Sequence, residues 1–519
     1  MKVEKNFIFK IILVVIFTAS FLLMIFSGLS DSQTTDEAIH LFSGYTYLTQ
    51  NDFRLDPEHP PLLKELSALP LLFFQNLNIS LGDLWLKSGN FYYDSWQEAR
   101  VLGEQFFYLL GNNPAKLLFW GRLPFIFLTL ILGYAGYFWA KKLYGVKAGI
   151  LSAFLILFFP NFLAHGHLIN TDLGLTLFIF IATYFWGKFL KQKNWQNLLL
   201  TGLFSGLAMA SKYTAIILFI ILFILAVVKL FQEKKEYGKI ILGYVGVLII
   251  SLMVIWATYG FSLNFLANYY KGISFVLQHA LGGHGSFLLG QNSNVGWWYY
   301  FPITILFKTP IPIFILLILT IIYFKKIHSK DLFDEYLLII PPIIYLVFAM
   351  ISKADLGIRH ILPIFPFLFV FIAKSTNILE FTKLIWLKII IVISIVWYLI
   401  SALVSFPNYL AYFNEFVSGP KGGYKILADS NLDWGQDIYR LKDYLTNHNI
   451  DKIYLVYPWD GDSALNYSGI NFEPLTPAMQ NVKGPVVVSA TYFQTDVYKW
   501  LKKYPFEQIT PGLFIFNLP

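Results

Sequence analysis

Thr34-Thr35-Asp36-Glu37-Ala38-Ile39-His40 stands just after 11–29, an apolar run of membrane length, and Asp56-Pro57-Glu58-His59-Pro60-Pro61-Leu62 follows soon after. Acids and histidines this close to a bilayer are costly to keep there, so they mark chemistry at the membrane surface. The apolar run beside them is one of many. Hydrophobic residues make up 56% of the 519 and charged residues 13%, against about 25% charged in a soluble chain, and the mean hydropathy is +0.58. The runs 11–29, 119–140, 146–163, 173–190, 197–209, 216–231, 240–258, 301–324, 336–351, 361–373 and 384–404 approach or reach the roughly 20 apolar residues that span a bilayer; 197–209 is short and ends at Ser211-Lys212. The chain reads as a polytopic α-helical membrane protein with about eleven spans.

Lysine placement orients it. Lys2, Lys5 and Lys10, then Lys141, Lys142 and Lys147, then Lys188, Lys191 and Lys193, then Lys229, Lys234, Lys235 and Lys239, then Lys325, Lys326 and Lys330, and finally Lys374, Lys383 and Lys388 fall in alternate connections. The positive-inside rule then makes the N-terminus cytoplasmic. An odd number of spans places the C-terminal segment outside, with the loop that holds Asp36 and His59. Those lysines account for most of the net charge of +8, so nucleic-acid binding is not expected. The first run has the basic front of a signal peptide without a small-residue cleavage site and reads as a retained anchor in a multi-pass plasma-membrane protein. The absence of cysteine excludes disulfides.

Residues 1–406 form the expected membrane module, with a long outer loop at 30–118 and a second at 260–300. Residues 407–519 form an expected small α/β domain outside, from the strand-like runs 452–457 and 485–489 and a helix over 437–445.

Each polar cluster has two readings. Thr34-x-x-Glu37 is a capping box, which makes Glu37 either structural or part of the chemistry. Asp36 and His40, four apart on one helical face, are either a base with its orienting partner or two ligands of a divalent cation. Glu58-His59-Pro60-Pro61 either turns the chain into a helix or joins Lys64 in holding an anionic headgroup. Arg122 opens the second span and either snorkels or binds ligand. Asp172 opens the fourth, as a helix N-cap or an acid of the site. Lys212 has no counter-ion near it in sequence, and Arg359-His360 opens another span from the same side. Cations converging there would make a phosphate site, and Asp36 and Asp172 would supply the acids, an arrangement suited to group transfer from a lipid phosphate.

Asp36-Glu37, Glu58-His59-Pro60-Pro61-Leu62, Arg122-Leu123-Pro124, Asn170-Thr171-Asp172 and Arg359-His360 resemble the GT-C class, family 39 glycosyltransferases, which are protein O-mannosyltransferase-like. Asn408-Tyr409-Leu410-Ala411-Tyr412-Phe413-Asn414-Glu415 and Asp429-Ser430-Asn431-Leu432-Asp433-Trp434-Gly435-Gln436-Asp437 are similar to a signature of bacterial and archaeal members. The resemblance implies a hexosyl- or pentosyltransferase that moves a sugar from a polyprenyl-phosphate donor to an acceptor hydroxyl, with inversion, on the outer face. It implies Asp36 as the base, with Glu37 beside it. His59 would hold the donor phosphate, and Lys64, Arg122, Lys212, Arg359 and His360 join it from the charge reading; Glu58 and Asp172 complete the site. Related lipid A aminoarabinose transferases carry Glu-Lys where this chain has Glu58-His59. The second outer loop is too short for the mannosyltransferases' β-trefoil domain, and protein, lipid and glycan all stand open as acceptors.

A polytopic transporter or flippase of an anionic lipid-linked substrate is the other class that such charges suit. It would favour inverted repeats and mid-membrane charges, whereas here the charges gather at one face.

Overall fold

The computed structural model describes residues 2–80, 82, 85, 92–233, 236–458 and 462–519, so Lys234 and Lys235 lie outside the described residues. Every one of the eleven apolar runs contains a helix. Among the described residues eight helices are long and apolar enough to cross a bilayer: Phe7–Ser30, Pro114–Tyr144, Thr171–Gln192, Tyr213–Glu233, Tyr237–Thr258, Leu332–Ile351, Ile358–Phe381 and Ile385–Val404. The pair Tyr300–Lys308 and Ile311–Ile322 is long and apolar enough only together and is bent by 105° at its break, the shape of a broken span or of a re-entrant loop. The expected spans at 146–163 and 197–209 are helices of 12 and 15 residues, Val146–Leu157 and Trp195–Met209, shorter than the roughly 20 residues a crossing needs.

Local chemistry sets the ends of these helices. The side chain of Asn113 accepts from the Lys116 amide and Pro114 takes the first helical position, so the second span begins there. It ends at Gly145, whose φ of 96° is open to glycine at little cost. Asn170 caps Thr171–Gln192 by accepting from the Asp172 and Leu173 amides, which leaves the Asp172 carboxylate out of the cap. That span sits at the centre of the bundle, whereas Tyr237–Thr258 presents Ile241, Leu242 and Met253 outward, as a lipid-facing helix does.

Two short helices of the first outer loop carry the polar motifs. Glu37–Gln50 and Leu62–Ala68 cross where Gly44 meets Lys64; a Cβ on Gly44 would lie 1.9 Å from the Lys64 carbonyl oxygen. Only glycine allows that approach, and it fixes the Asp56 to Pro60 turn above the membrane helices.

The bent pair breaks at Thr309-Pro310, since the residue before proline is driven out of the helical region; Thr309 is extended, with φ −106° and ψ 132°. The tail satisfies the Leu306, Phe307 and Thr309 carbonyls at the break, and Asn161 Nδ2 satisfies that of Lys308 at 2.7 Å. Asn414 Nδ2 donates to Leu306 and Thr309 at 2.6 and 2.8 Å, and the Asn414 amide donates to Phe307 at 2.9 Å. Lys308 Nζ donates back to the carbonyls of Leu410 and Asn431 at 2.8 and 2.6 Å. The tail run thus threads into the membrane helices before it reaches the C-terminal sheet. That sheet orders its strands Phe472–Pro474, Ile453–Val456, Gly484–Ser489, Leu513–Leu518, Glu507–Thr510, the first three parallel and the last two antiparallel to their neighbours. The helix beside it is Ile438–Asn447.

Candidate active site

The charged groups around the polar motifs separate into two sets, those saturated by the fold and those with bonding capacity left. Arg122 belongs to the first. Its Nε and Nη2 reach the Glu37 carboxylate at 2.8 and 2.6 Å, and its remaining N–H groups go to the carbonyls of Gly28, Asp31 and Ser32 at 2.6 to 2.9 Å. All five guanidinium donors are used. Glu37, fully buried, also accepts from the Thr34 and Ile169 amides at 2.9 and 3.1 Å. Arg122, expected at a donor phosphate, and Glu37, expected beside the base, therefore close the end of the first span against each other. The capping box is half made, because Glu37 reaches back to the Thr34 amide while the Thr34 hydroxyl has no hydrogen-bond partner.

Lys64 joins the same set. Its ammonium donates to Tyr47 Oη, the Asp56 carbonyl and the His59 carbonyl at 2.8, 2.6 and 2.8 Å and lies 3.2 Å from Asp56 Oδ2. At 1% exposure it braces the 56–60 turn and cannot face a headgroup, as the sequence reading expected.

The second set surrounds Arg359. Its Nη1 is 3.4 Å from Asp36 Oδ2 and 3.8 Å from Asp172 Oδ2, and its Nε, though buried, has no hydrogen-bond partner. Lys212 pairs with Asp172 Oδ1 at 2.6 Å, a counter-ion 40 positions away that local sequence does not reveal. Asp36 keeps 21% of its side chain exposed. His360 Nε2 and His59 Nδ1 are also without partners. Burial, with Asp56 and Asp36 nearby, pushes Glu58 up to about 8, so it is protonated at neutral pH. Burial first, then His40 and the nearby cations, holds His59 well below the usual imidazole range; it offers a phosphate a neutral ring and no charge.

The expected pairing of Asp36 with His40 does not form. Asp36 is the N-cap residue with helical backbone angles, and its carbonyl accepts from the His40 amide at 3.0 Å, but its carboxylate turns to Arg359. His40 Nδ1 meets the Ile169 carbonyl at 3.3 Å, while Nε2 lies 3.7 Å from Asp56 Oδ2. His40, Asp56 and His59 instead bring one ligand atom each to within 4.8 Å of one another.

The sequence reading did not join Trp434 to Arg359. The Arg359 guanidinium lies over the Trp434 ring, 4.2 Å from its centroid. The run 429–437 stands out in the sequence, but nothing local ties it to a residue 75 positions earlier.

Residues 105–256 match the family model described as Dolichyl-phosphate-mannose-protein mannosyltransferase. No curated protein sequence matches the chain. Among solved structures, ArnT from Cupriavidus metallidurans in the apo state is similar with a TM-score of 0.51 at 12% identity, covering 97% of both chains. The same protein bound to undecaprenyl phosphate gives 0.52 at 13% identity, again over 97% of both. The chain thus shares the fold of ArnT along nearly its whole length, and its residues 105–256 match the mannosyltransferase family model.

Proposed function

We propose that this chain transfers a sugar from a polyprenyl-phosphate carrier to an acceptor hydroxyl on the outer face of the membrane, with inversion. The observation that carries the reading is the contrast between the two arginines. Arg122 is saturated, while Arg359 holds free donors between Asp36 on one side and the Asp172–Lys212 pair on the other. A phosphate monoester or diester matches those donors, and the ArnT structure with undecaprenyl phosphate supports that class of donor.

In the reaction the acceptor oxygen attacks the anomeric carbon from the face opposite the phosphate, and its proton passes to Asp36. The carbon–oxygen bond to phosphate breaks as the new glycosidic bond forms, so the anomeric configuration inverts. The departing polyprenyl phosphate takes the electron pair, and Arg359 and Lys212 stabilise its charge. His59 and His360 contribute neutral imidazole hydrogen bonds. Glu37, Arg122 and Lys64 act on the scaffold. Asp36→Asn tests the base: turnover falls by about 10²- to 10⁴-fold while undecaprenyl phosphate still binds, and unchanged turnover refutes it. Lipid and glycan mass spectrometry of a deletion strain names the sugar and the acceptor through the product that disappears.

The divalent-cation reading moves from Asp36 to His40, Asp56 and His59. The Ile169 carbonyl fixes the proton of His40 on Nδ1 and leaves Nε2 facing Asp56; Asp56 Oδ1 and His59 Nδ1 have no hydrogen-bond partner, and Asp56 Oδ2 is paired with the Lys64 ammonium at 3.2 Å. This donor set fits a metal ion, which would supply Lewis acidity near the phosphate. Elemental analysis of zinc-loaded protein tests it: one ion per chain, lost in His40→Ala, is expected, and no bound ion refutes it.

A further inference from the structure

Arg122 and Arg359 are held in opposite ways. Arg122 is fixed by five directional hydrogen bonds, none longer than 2.9 Å. Arg359 has carboxylate contacts of only 3.4 and 3.8 Å and a buried Nε–H with no partner. A long, rotamer-rich side chain so loosely bonded needs another restraint. Trp434 supplies one, with the guanidinium 4.2 Å from its ring centroid, and Trp434 is itself 2% exposed.

An aromatic face suits this task. It attracts the cation through the ring quadrupole and consumes none of the N–H donors, which stay available to phosphate oxygens. A close carboxylate would occupy them.

The run that contains Trp434 also fixes the backbone on both sides of the centre. Asn431 Oδ1 accepts from the Ile358 amide at 3.0 Å and Asn431 Nδ2 donates to Tyr300 Oη at 2.9 Å; the Ser430 hydroxyl donates to the Leu356 carbonyl. These bonds hold the turn leading into Arg359. Gly357 sits there with φ 128°, and a Cβ on it would lie 2.9 Å from Ser430 Oγ. On the other side the Trp434 carbonyl accepts from Thr35 N at 3.0 Å and Thr35 Oγ1 at 3.2 Å. Ser32 N donates to the Gln436 carbonyl at 3.0 Å and Ser32 Oγ to the Gly435 carbonyl at 2.8 Å. Those bonds hold the segment leading into Asp36.

We propose that Trp434 is a positioning residue of the catalytic centre. Its ring aligns Arg359 for the donor phosphate, and the run 429–437 sets the spacing between Arg359 and Asp36. The inference rests on the donor-phosphate reading above.

The test uses the full-length protein in detergent, with undecaprenyl phosphate as the probe and undecaprenol as the phosphate-free control. Trp434→Leu weakens undecaprenyl phosphate about tenfold, on the scale of a desolvated cation–π contact, and leaves undecaprenol binding as in the wild type. Trp434→Phe, which keeps an aromatic face, loses about two- to threefold. In an Arg359→Gln background neither change weakens binding further. Should Trp434→Leu not fold, Trp434→Phe carries the same cycle. Wild-type affinity in a folded Trp434→Leu protein, or equal losses with and without Arg359, overturns the inference. If Arg359→Gln itself binds like the wild type, the donor reading falls and this inference with it. If Arg359→Gln weakens binding and Trp434→Leu does not, this inference alone falls.

Discussion

Asp36 and Glu37 are adjacent acids, and the structure assigns them such different surroundings that substitution separates them cleanly. Glu37→Gln removes the carboxylate that Arg122 holds at 2.6 and 2.8 Å and leaves a guanidinium 3% exposed without a counter-charge. Breaking a buried pair from one side costs roughly 3–5 kcal/mol. Unfolding entropy of about 2.1 cal/mol/K per residue over 519 residues gives about 1.1 kcal/mol/K, so the unfolding temperature drops by roughly 3–5 °C. Asp36→Asn loses one partly exposed contact of 3.4 Å, worth about 1 kcal/mol or less, and the unfolding temperature moves by about 1 °C or less. The assay pairs thermal unfolding in detergent with release of sugar from a polyprenyl-phosphate donor. Glu37→Gln lowers stability and keeps turnover in the protein that remains folded; Asp36→Asn does the reverse. A Glu37→Gln protein that melts like the wild type and has no turnover refutes the division and makes Glu37 the base.

Three further outcomes are expected. Asp433 is buried and, for that reason first, its carboxyl is pushed up to about 8. The folded state keeps a proton that the unfolded chain has lost between pH 3.8 and about 8, so this group's stabilising contribution is full below that window and gone above it. Asp433→Asn should match the wild type near pH 4 and unfold several degrees higher at pH 9, on the order of several kcal/mol; the same difference at both pH values refutes the shift. Asn414→Ala leaves the Leu306 and Thr309 carbonyls at the bent pair unpaired, about 1–3 kcal/mol each, so thermal unfolding should come earlier, with hydrogen exchange rising at 306–310; unchanged exchange there refutes the link. Gly44→Ala would force a Cβ to 1.9 Å from the Lys64 carbonyl, and its folded yield should fall well below that of Gly238→Ala, where a Cβ meets nothing within 4 Å.

The places where the sequence reading held and where it slipped have a common physical basis. The spans were legible because apolar length is a property of a segment alone. The caps at Asn113 and Asn170 are local as well, but the sequence reading named neither; it weighed Asp172 as a cap, a position that Asn170 takes. The sheet strands at 453–456 and 484–489 and the helix at 438–447 lie where β-branched runs and helical spacing put them. The number of crossings was less legible, because Val146–Leu157 and Trp195–Met209 are apolar yet short.

Within the site, the sequence by itself determined which charged residues stand close to the apolar runs, since hydropathy is additive along the chain. Only the tertiary structure decided which of them keep unused bonds. Arg122 lies about two turns inside Pro114–Tyr144 and Arg359 at the start of Ile358–Phe381; the end of the first helix and the residues just after it offer Arg122 three carbonyls, whereas Arg359 meets an aromatic face and two distant carboxylates. Saturation depends on what neighbouring segments bring within hydrogen-bond reach, across 85 residues for Arg122 with Glu37 and 323 for Arg359 with Asp36. No local pattern encodes such distances, because the contacts exist only once the helices have packed.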